Sequence, residues 1–244
     1  MEFIANGAQA DLYKNNDTAI KLFKKNVPKE EIEYEMDLQK MAFELGLPVP
    51  KIYDMVEIDG KYGILMEYIA GVPIGEAVFK DQNKFQEYLI KSIEIQIDLN
   101  NIITNTFPSM KEILIRNINR VSEIEITYKQ EILAKLEKIC FNNFLCHGDF
   151  HLYNLLETSN GIKIIDWVNS SAGNFEADIC RTYLLYKINR EMLAELFIEN
   201  YCKITKVPKE NILIWLPILA AARLSEGRDR LENEILKKII KENL

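Results

Sequence analysis

The apolar pattern of this sequence changes near Gly71, and the change restricts the folds that the chain can adopt. Before that point, short apolar runs separated by turn residues predict strands in hairpins, together with one helix. The predicted strands cover residues 10–13, 18–23, 52–57 and 62–68, and the predicted helix covers residues 29–45. After Gly71, apolar residues recur mostly at helical spacing. The sequence therefore predicts an α+β fold in which a small antiparallel sheet with one helix precedes a larger, mainly helical part.

This pattern divides the chain into two lobes. The N-terminal lobe is expected to cover residues 1–69 and the C-terminal lobe residues 70–244, with a short connector at about residues 68–72. Within the second lobe, a non-helical segment is expected at residues 144–166. Ligand pockets are common in clefts between two lobes, so we expect functional residues of both lobes to converge there.

Composition and charge exclude several kinds of partner. The 244 residues carry a formal net charge of -7, and this acidic excess disfavours non-specific binding of nucleic acid, which needs a basic surface. The same excess is compatible with a cationic substrate. The four cysteines form no CxxC pair and there are only two histidines, which argues against a zinc site. No signal-peptide pattern or apolar run of ~20 residues is found, so we expect a cytoplasmic protein without a membrane partner.

Two polar segments carry the strongest chemical signal. Residues 145–156, LCHGDFHLYNLL, hold a polar cluster between two apolar runs, and IKIIDW follows at residues 162–167. Asp149 precedes Asn154 by five positions, and Asp166 closes the last apolar run. Phosphoryl transfer needs a positioned hydroxyl and a metal that neutralises phosphate charge. A carboxylate can orient the hydroxyl, and carboxylate and amide oxygens can bind Mg²⁺. The pattern therefore favours the active site of a phosphotransferase over an ordinary polar loop in a hairpin.

These segments resemble the catalytic loop and the metal-binding segment of the aminoglycoside phosphotransferase and choline kinase group, which has a protein-kinase-like fold. The resemblance implies that Asp149 is the catalytic base and that Asn154 and Asp166 hold Mg²⁺. It also implies that His147 and Asp178 brace the loop by hydrogen bonding. ATP is the implied phosphate donor, and the implied acceptor is a small molecule with a hydroxyl group.

The N-terminal lobe contains a segment similar to the VAIK strand of kinases, namely AIKL at residues 19–22. The resemblance implies that Lys21 contacts the α- and β-phosphates and that its counter-ion lies on the following helix. Glu35 is the best match for that counter-ion, and Glu31, one helical turn earlier, is the alternative.

Two further segments of this lobe are implied to bind the nucleotide. The loop of residues 4–10 contains a single glycine, Gly7, and small neighbours that permit a close approach to phosphate. MEYI at residues 66–69 resembles the kinase hinge, where backbone groups of Glu67 and Ile69 would meet the adenine edge. The first lobe is therefore interpreted as the nucleotide-binding lobe and the second as the catalytic and substrate-binding lobe.

Several differences separate the chain from ordinary protein kinases. His151 stands where those enzymes carry Lys, and Trp167 follows Asp166 where they carry Phe. The interval between Asp166 and Asp178 is too short for a long activation segment, which favours a small acceptor over a peptide. A small atypical protein kinase without an activation segment and a catalytically silent nucleotide-binding module are the alternatives.

The sequence leaves the acceptor open. Proteins with similar loops accept aminoglycosides, choline or ethanolamine, amino sugars and homoserine. A cationic acceptor would need carboxylates or aromatic faces. The candidates for such contacts are Glu226, Asp229, Trp215 and Tyr183.

Overall fold

The computed structural model describes residues 1–227 and 229–244. The chain divides into two compact units. The first unit comprises Met1–Lys84 and Leu152–Asn169, and the second comprises Phe85–His151 and Ser170–Leu244. The chain passes from the second unit back to the first within the polar segment that holds Asp149 and Asn154.

The strands are β1 (Glu2–Asn6), β2 (Ala10–Asn15), β3 (Thr18–Phe23), β4 (Ile52–Ile58), β5 (Lys61–Glu67), β6 (Val72–Pro73), β7 (Phe144–Cys146), β8 (Leu155–Thr158), β9 (Gly161–Ile164) and β10 (Ser171–Gly173). The helices are α1 (Lys29–Glu44), α2 (Ile74–Lys80), α3 (Phe85–Asn100), α4 (Met110–Arg120), α5 (Ile126–Glu137), α6 (Phe175–Asn189), α7 (Glu191–Thr205), α8 (Lys209–Leu213), α9 (Leu216–Leu224) and α10 (Arg230–Asn243). Short 3-10 turns cover Gln82–Lys84 and Leu152–Asn154.

An antiparallel sheet in the order β1-β2-β3-β5-β4 forms the main part of the first unit. Its hairpins turn at Asn16 and at Asp59-Gly60, which adopt positive φ angles that Asn, Asp and Gly tolerate best. Helix α1 ends before Gly46, where a φ of 76° stops it. Its apolar face packs with the strands in one core, which contains Ala10, Phe23, Ile32, Met36, Ile52 and Ile64.

Strand β1 corrects the expected order of elements. The sequence predicted four strands around the helix, whereas β1 adds a fifth at the edge of the sheet. It pairs with β2 through an irregular register between Phe3 and Ala5. All five of its residues are exposed, so it lacks the alternation of buried and exposed positions from which strands are predicted.

The first unit also contains a smaller sheet in the order β6-β8-β9. The two β8–β9 strands are those expected near Asn154 and Asp166. Ile164 N–H donates to the Pro48 carbonyl at 2.8 Å, which ties this sheet to the residues after α1. The compact first unit therefore takes in residues 70–84 and 152–169 beyond the expected lobe of residues 1–69, because long-range hydrogen bonds hold together segments that are distant in sequence.

Helices build the second unit around α6, in which all residues from Ala177 to Tyr186 are buried. A helix that is buried on all sides lies at the centre of its domain. Helices α7, α8 and α9 pack against it, and α10 and α4 pack against α9. Strands β7 and β10 pair next to this bundle. Among the described residues, no helix has the length and apolar character that a membrane crossing requires.

Candidate active site

Lys21 is shared by two carboxylates in the first unit. It lies on β3, and its Nζ is 2.5 Å from Glu35 Oε1 on α1 and 3.5 Å from Asp166 Oδ1. Only 7% of the Glu35 side chain and 26% of the Lys21 side chain are exposed. The helix carries Glu35 on its buried face with Ile32 and Met36, so the pairing expected from the sequence is present. Glu31 is not needed for it.

The surroundings keep Lys21 charged. Burial alone would lower the pKa of Lys21, but the negative charges of Asp166 and Glu35 outweigh this effect and raise the pKa above its ordinary value. The ammonium group is therefore positive at every pH at which the protein would work. The nucleotide-binding role of Lys21 and Glu35 stays a prediction.

Asn154 and Asp166 lie at adjoining ends of β8 and β9. Leu155 pairs with Ile164, and Ile165 N–H donates to the Asn154 carbonyl at 3.0 Å. Asp166 has a φ of 66°, a left-handed conformation that Asp and Asn adopt more readily than most residues. Asn154 is buried, and the Asp166 side chain is 37% exposed. An amide oxygen and a partly exposed carboxylate fit Mg²⁺, which prefers oxygen ligands and keeps part of its water shell.

Gly7 forms a tight turn between β1 and β2. Its N–H donates to the Ala10 carbonyl at 2.8 Å, and a Cβ atom at this position would lie 2.8 Å from that same oxygen. Lys24 supports the turn from β3's end, since its Nζ donates to the Ala8 carbonyl at 2.7 Å. A side chain at residue 7 would therefore force the backbone of the turn to move.

Backbone groups at the end of β5 and just after it take part in several hydrogen bonds. Glu67 N–H donates to the Lys51 carbonyl at 2.8 Å, and the Ile69 carbonyl accepts from Gly71 N–H at 3.0 Å. The Glu67 carboxylate in turn accepts from Lys51 N–H at 3.1 Å. If this segment contacts a purine, the Glu67 carbonyl and the Ile69 N–H are the groups to do so.

In the second unit, helix α6 holds both sides of Gly148. Asp178 Oδ1 accepts from Gly148 N–H at 2.7 Å, and Arg181 Nε donates to the Gly148 carbonyl at 3.1 Å. Asp178 is itself buried and accepts from Gln96 and Asn100, each at 3.0 Å. The bracing role expected for Asp178 is therefore seen directly, whereas sequence reasoning missed Arg181. Its position three residues after Asp178, one helical turn away, is the signal that was available.

Asp149 follows Gly148 and is held as a carboxylate. Its Oδ2 lies 3.5 Å from His151 Nε2, and its N–H donates to Nδ1 of the fully buried His147 at 3.3 Å. Burial would raise the pKa of Asp149, but the hydrogen bond and charge of His151, with the charges of Arg181 and His147, lower it well below its usual range. The chemistry available at Asp149 is that of an ionised, oriented hydrogen-bond acceptor.

The four side chains considered for a cationic acceptor have structural partners. Trp215 is buried with its ring edge-on to Phe141, and the Tyr183 hydroxyl donates to Glu195 at 2.7 Å. Asp229 caps helix α10. Glu226 pairs with two arginines. Isolated charged or aromatic residues in a sequence carry no sign of such partners.

The chain belongs to the phosphotransferase enzyme family (APH), whose model matches residues 1–211. This confirms the resemblance of the HGDFHLYN and IIDW segments to that group. No curated protein matches the sequence.

Solved structures of choline and aminoglycoside kinases share the fold over nearly the whole chain. Choline kinase LicA from Streptococcus pneumoniae is 18% identical, with a TM-score of 0.64 over 98% of this chain and 92% of that one. Amicoumacin kinase hAmiN is 17% identical, with a TM-score of 0.63 over 99% and 86%. A thermostable aminoglycoside phosphotransferase APH(4)-Ia is 10% identical, with a TM-score of 0.65 over 99% and 87%. The α+β, protein-kinase-like fold predicted from the sequence is thereby confirmed.

Proposed function

We propose that this protein transfers the γ-phosphate of ATP to a hydroxyl group of a small molecule, with Mg²⁺ as the metal. The observation that carries the proposal is Lys21, paired at 2.5 Å with Glu35 and lying 3.5 Å from Asp166. A partly buried lysine with these two carboxylate partners is not part of the apolar core of its unit. It is the arrangement that kinases use for the phosphates of ATP.

Each candidate site residue of the first unit has a role in this proposal. Lys21 contacts the α- and β-phosphates and Glu35 fixes its side chain. Asn154 and Asp166 hold Mg²⁺, which supplies the charge that neutralises the phosphate oxygens. The Gly7 turn lets backbone approach the phosphates.

Adenine is proposed to lie against the segment after β5. The Glu67 carbonyl would accept from the exocyclic amine of adenine, and the Ile69 N–H would donate to a ring nitrogen. The Glu67 N–H is engaged by Lys51, so it is not available for this contact. This arrangement favours a base with an amine donor next to a nitrogen acceptor, as in adenine.

Asp149 is proposed to act on the acceptor. A carboxylate whose pKa lies well below its usual range is a weak base, so its main effect is to orient the attacking hydroxyl. It takes the proton late, when the oxygen has begun to bond to phosphorus and has become more acidic. The hydrogen bonds that hold the Gly148 N–H and carbonyl fix the direction from which Asp149 approaches the hydroxyl.

Similar structures support the nucleotide and leave the acceptor open. One LicA structure contains AMP, the hAmiN structure contains AMP-PNP and Ca²⁺, and an APH(4)-Ia structure contains ADP. Their acceptors differ, from choline to hygromycin B. We propose a small acceptor, and the formal net charge of -7 is compatible with a cationic one.

The proposal is tested by incubating the protein with ATP and Mg²⁺ and a panel of aminoglycosides, amino alcohols and amino sugars. The expected result is phosphate transfer to one class, with loss of transfer when Mg²⁺ is chelated. Phosphate found only on protein would instead favour an atypical protein kinase. Tight ATP binding with no transfer to any acceptor would favour a silent nucleotide-binding module.

A further inference from the structure

A chain of alternating charges runs from the loop before Asp149 to the C-terminal helices. Arg181 donates from Nε to the Gly148 carbonyl at 3.1 Å, and its Nη2 lies 2.5 Å from Glu226 Oε1. The other Glu226 oxygen lies 3.0 Å from Arg223 Nη1, and Arg223 Nε lies 2.6 Å from Glu232 Oε1. All of these residues belong to the second unit.

The burial of these four charged side chains distinguishes them from ordinary surface ion pairs. Both arginine side chains are 7% exposed, while those of Glu226 and Glu232 are 22% and 15% exposed. Pairs at the surface contribute little, but removing one partner of a buried pair leaves an uncompensated charge. The planar guanidinium of Arg181 bonds in two directions at once, so it transmits position from Glu226 to the Gly148 peptide.

We infer that Arg181 and Glu226 are positioning residues for the step in which Asp149 orients the acceptor hydroxyl. The inference rests on the proposed function. Gly148 has a φ of 76°, a conformation open to few residues, and rotation at this flexible glycine would swing the Asp149 side chain. Asp178 restrains the peptide before Gly148 through the Gly148 N–H, and Arg181 restrains the peptide that leads into Asp149 through the Gly148 carbonyl, so the peptides on both sides of this glycine are held.

The inference gives the C-terminal helices a part in the reaction. Glu226 follows α9, Arg223 lies in its last turn and Glu232 lies in the first turn of α10. These three residues stand beyond residue 211, where the match to the family model ends. The restraint on the catalytic loop is therefore completed by a part of the chain that the family pattern does not describe.

Steady-state kinetics of Glu226→Gln and Arg181→Lys test the inference. We expect kcat to fall about 10- to 100-fold with the KM for ATP within twofold of the parent, since misplacing a catalytic group mainly slows the chemical step. Lys209→Gln is the control, because it removes a 2.6 Å ion pair with Glu195 in the same unit, and neither residue belongs to the series Arg181, Glu226, Arg223 and Glu232. Its kcat should stay within twofold of the parent.

A pH profile separates positioning from general loosening of the fold. Arg181 contributes to the lowered pKa of Asp149, so the acid limb of kcat/KM should move to higher pH in Arg181→Gln and stay in place in Lys209→Gln. Glu232→Gln, at the far end of the chain of charges, is a milder variant for use if Glu226→Gln does not fold. It should lower kcat by a smaller factor in the same direction.

Hydrogen exchange distinguishes failure of the inference from failure of the proposed function. If the parent transfers no phosphate to any acceptor, the proposed function fails. Hydrogen exchange of the peptide of residues 145–151 is then compared between the parent and each variant. Faster exchange there in Glu226→Gln and parent-like exchange in Lys209→Gln would support the inference. Unchanged exchange, or a kcat within twofold of the parent in both Glu226→Gln and Arg181→Lys, would overturn it.

Discussion

The ammonium group of Lys21 lies 3.5 Å from the carboxylate of Asp166. Because Glu35 also contacts Lys21, one cation is set against two anions, and the group as a whole is negative. A divalent cation bound at Asp166 would make it positive and so complementary to a polyphosphate. Metal and nucleotide are therefore expected to bind cooperatively, each increasing the affinity for the other.

Asp166→Asn should remove most of the effect of Mg²⁺ on ATP binding. Asn keeps the shape of the side chain and tolerates the φ of 66°, so only the charge is lost. Titration of ATP with and without Mg²⁺ measures the effect. Asp37→Asn, an exposed carboxylate on α1, is the control and should behave like the parent. An unchanged Mg²⁺ effect in Asp166→Asn would contradict the metal assignment.

Lys21→Met should weaken ATP binding at least about tenfold and also destabilise the fold. It leaves Glu35 buried without its partner, which costs about 2–3 kcal/mol, less than for a fully buried pair because Lys21 is a quarter exposed. Urea unfolding at pH 7 measures this loss. Adding Glu35→Gln should restore part of the stability and none of the ATP affinity. Recovery of both would mean that Lys21 has only a structural role.

Gly7→Ala should raise the KM for ATP several-fold with little change in kcat. The added Cβ would lie 2.8 Å from the Ala10 carbonyl, a backbone atom, so the turn itself must move. The free energy of unfolding should change by less than ~1 kcal/mol, because β1 is an exposed edge strand. A parent-like KM in a variant of normal stability would show that the turn does not contact nucleotide.

Local elements were predictable because their signals are local. The helix expected at residues 29–45 is α1 at Lys29–Glu44, and the strands around Asn154 and Asp166 are β8 and β9. The pairing of Lys21 with Glu35 followed from the family resemblance. Periodicity could not have supplied it, since the two side chains are 14 positions apart and lie on two different elements.

Long-range restraints were not predictable. Arg181 and Glu226 are 45 positions apart, and each resembles an ordinary helix charge in the sequence. The same reason explains why residues 152–169 join the first unit: a hydrogen bond from Ile164 to Pro48 joins positions that no local pattern connects. Such contacts depend on how helices and strands pack, which binary patterning does not specify.

His151→Leu should move the acid limb of kcat/KM to higher pH. His151 is the main group that opposes the effect of burial on Asp149, so its loss lets the pKa of Asp149 rise. When the pKa of Asp149 rises, a larger fraction of Asp149 is protonated at any given pH. Activity is then lost at a higher pH as the pH falls. His151→Gln keeps a hydrogen-bond donor without the charge and should shift the limb less. A pH profile that coincides with that of the parent would show that His151 does not affect the ionisation of Asp149.

Asp149→Asn should lower kcat by about 10²–10⁴-fold, the range for loss of a general base, while the Kd for ATP stays within twofold. The amide has nearly the same size, so the Gly148 peptide keeps its bonds to Asp178 and Arg181. Because the proposed nucleotide contacts come from other residues, binding and transfer should separate in this variant. Isothermal titration with ATP and Mg²⁺ gives the first quantity, and single-turnover transfer to the acceptor gives the second. Turnover within a few-fold of the parent would remove Asp149 from the mechanism, whereas a parallel loss of ATP affinity would make it a nucleotide or metal ligand instead.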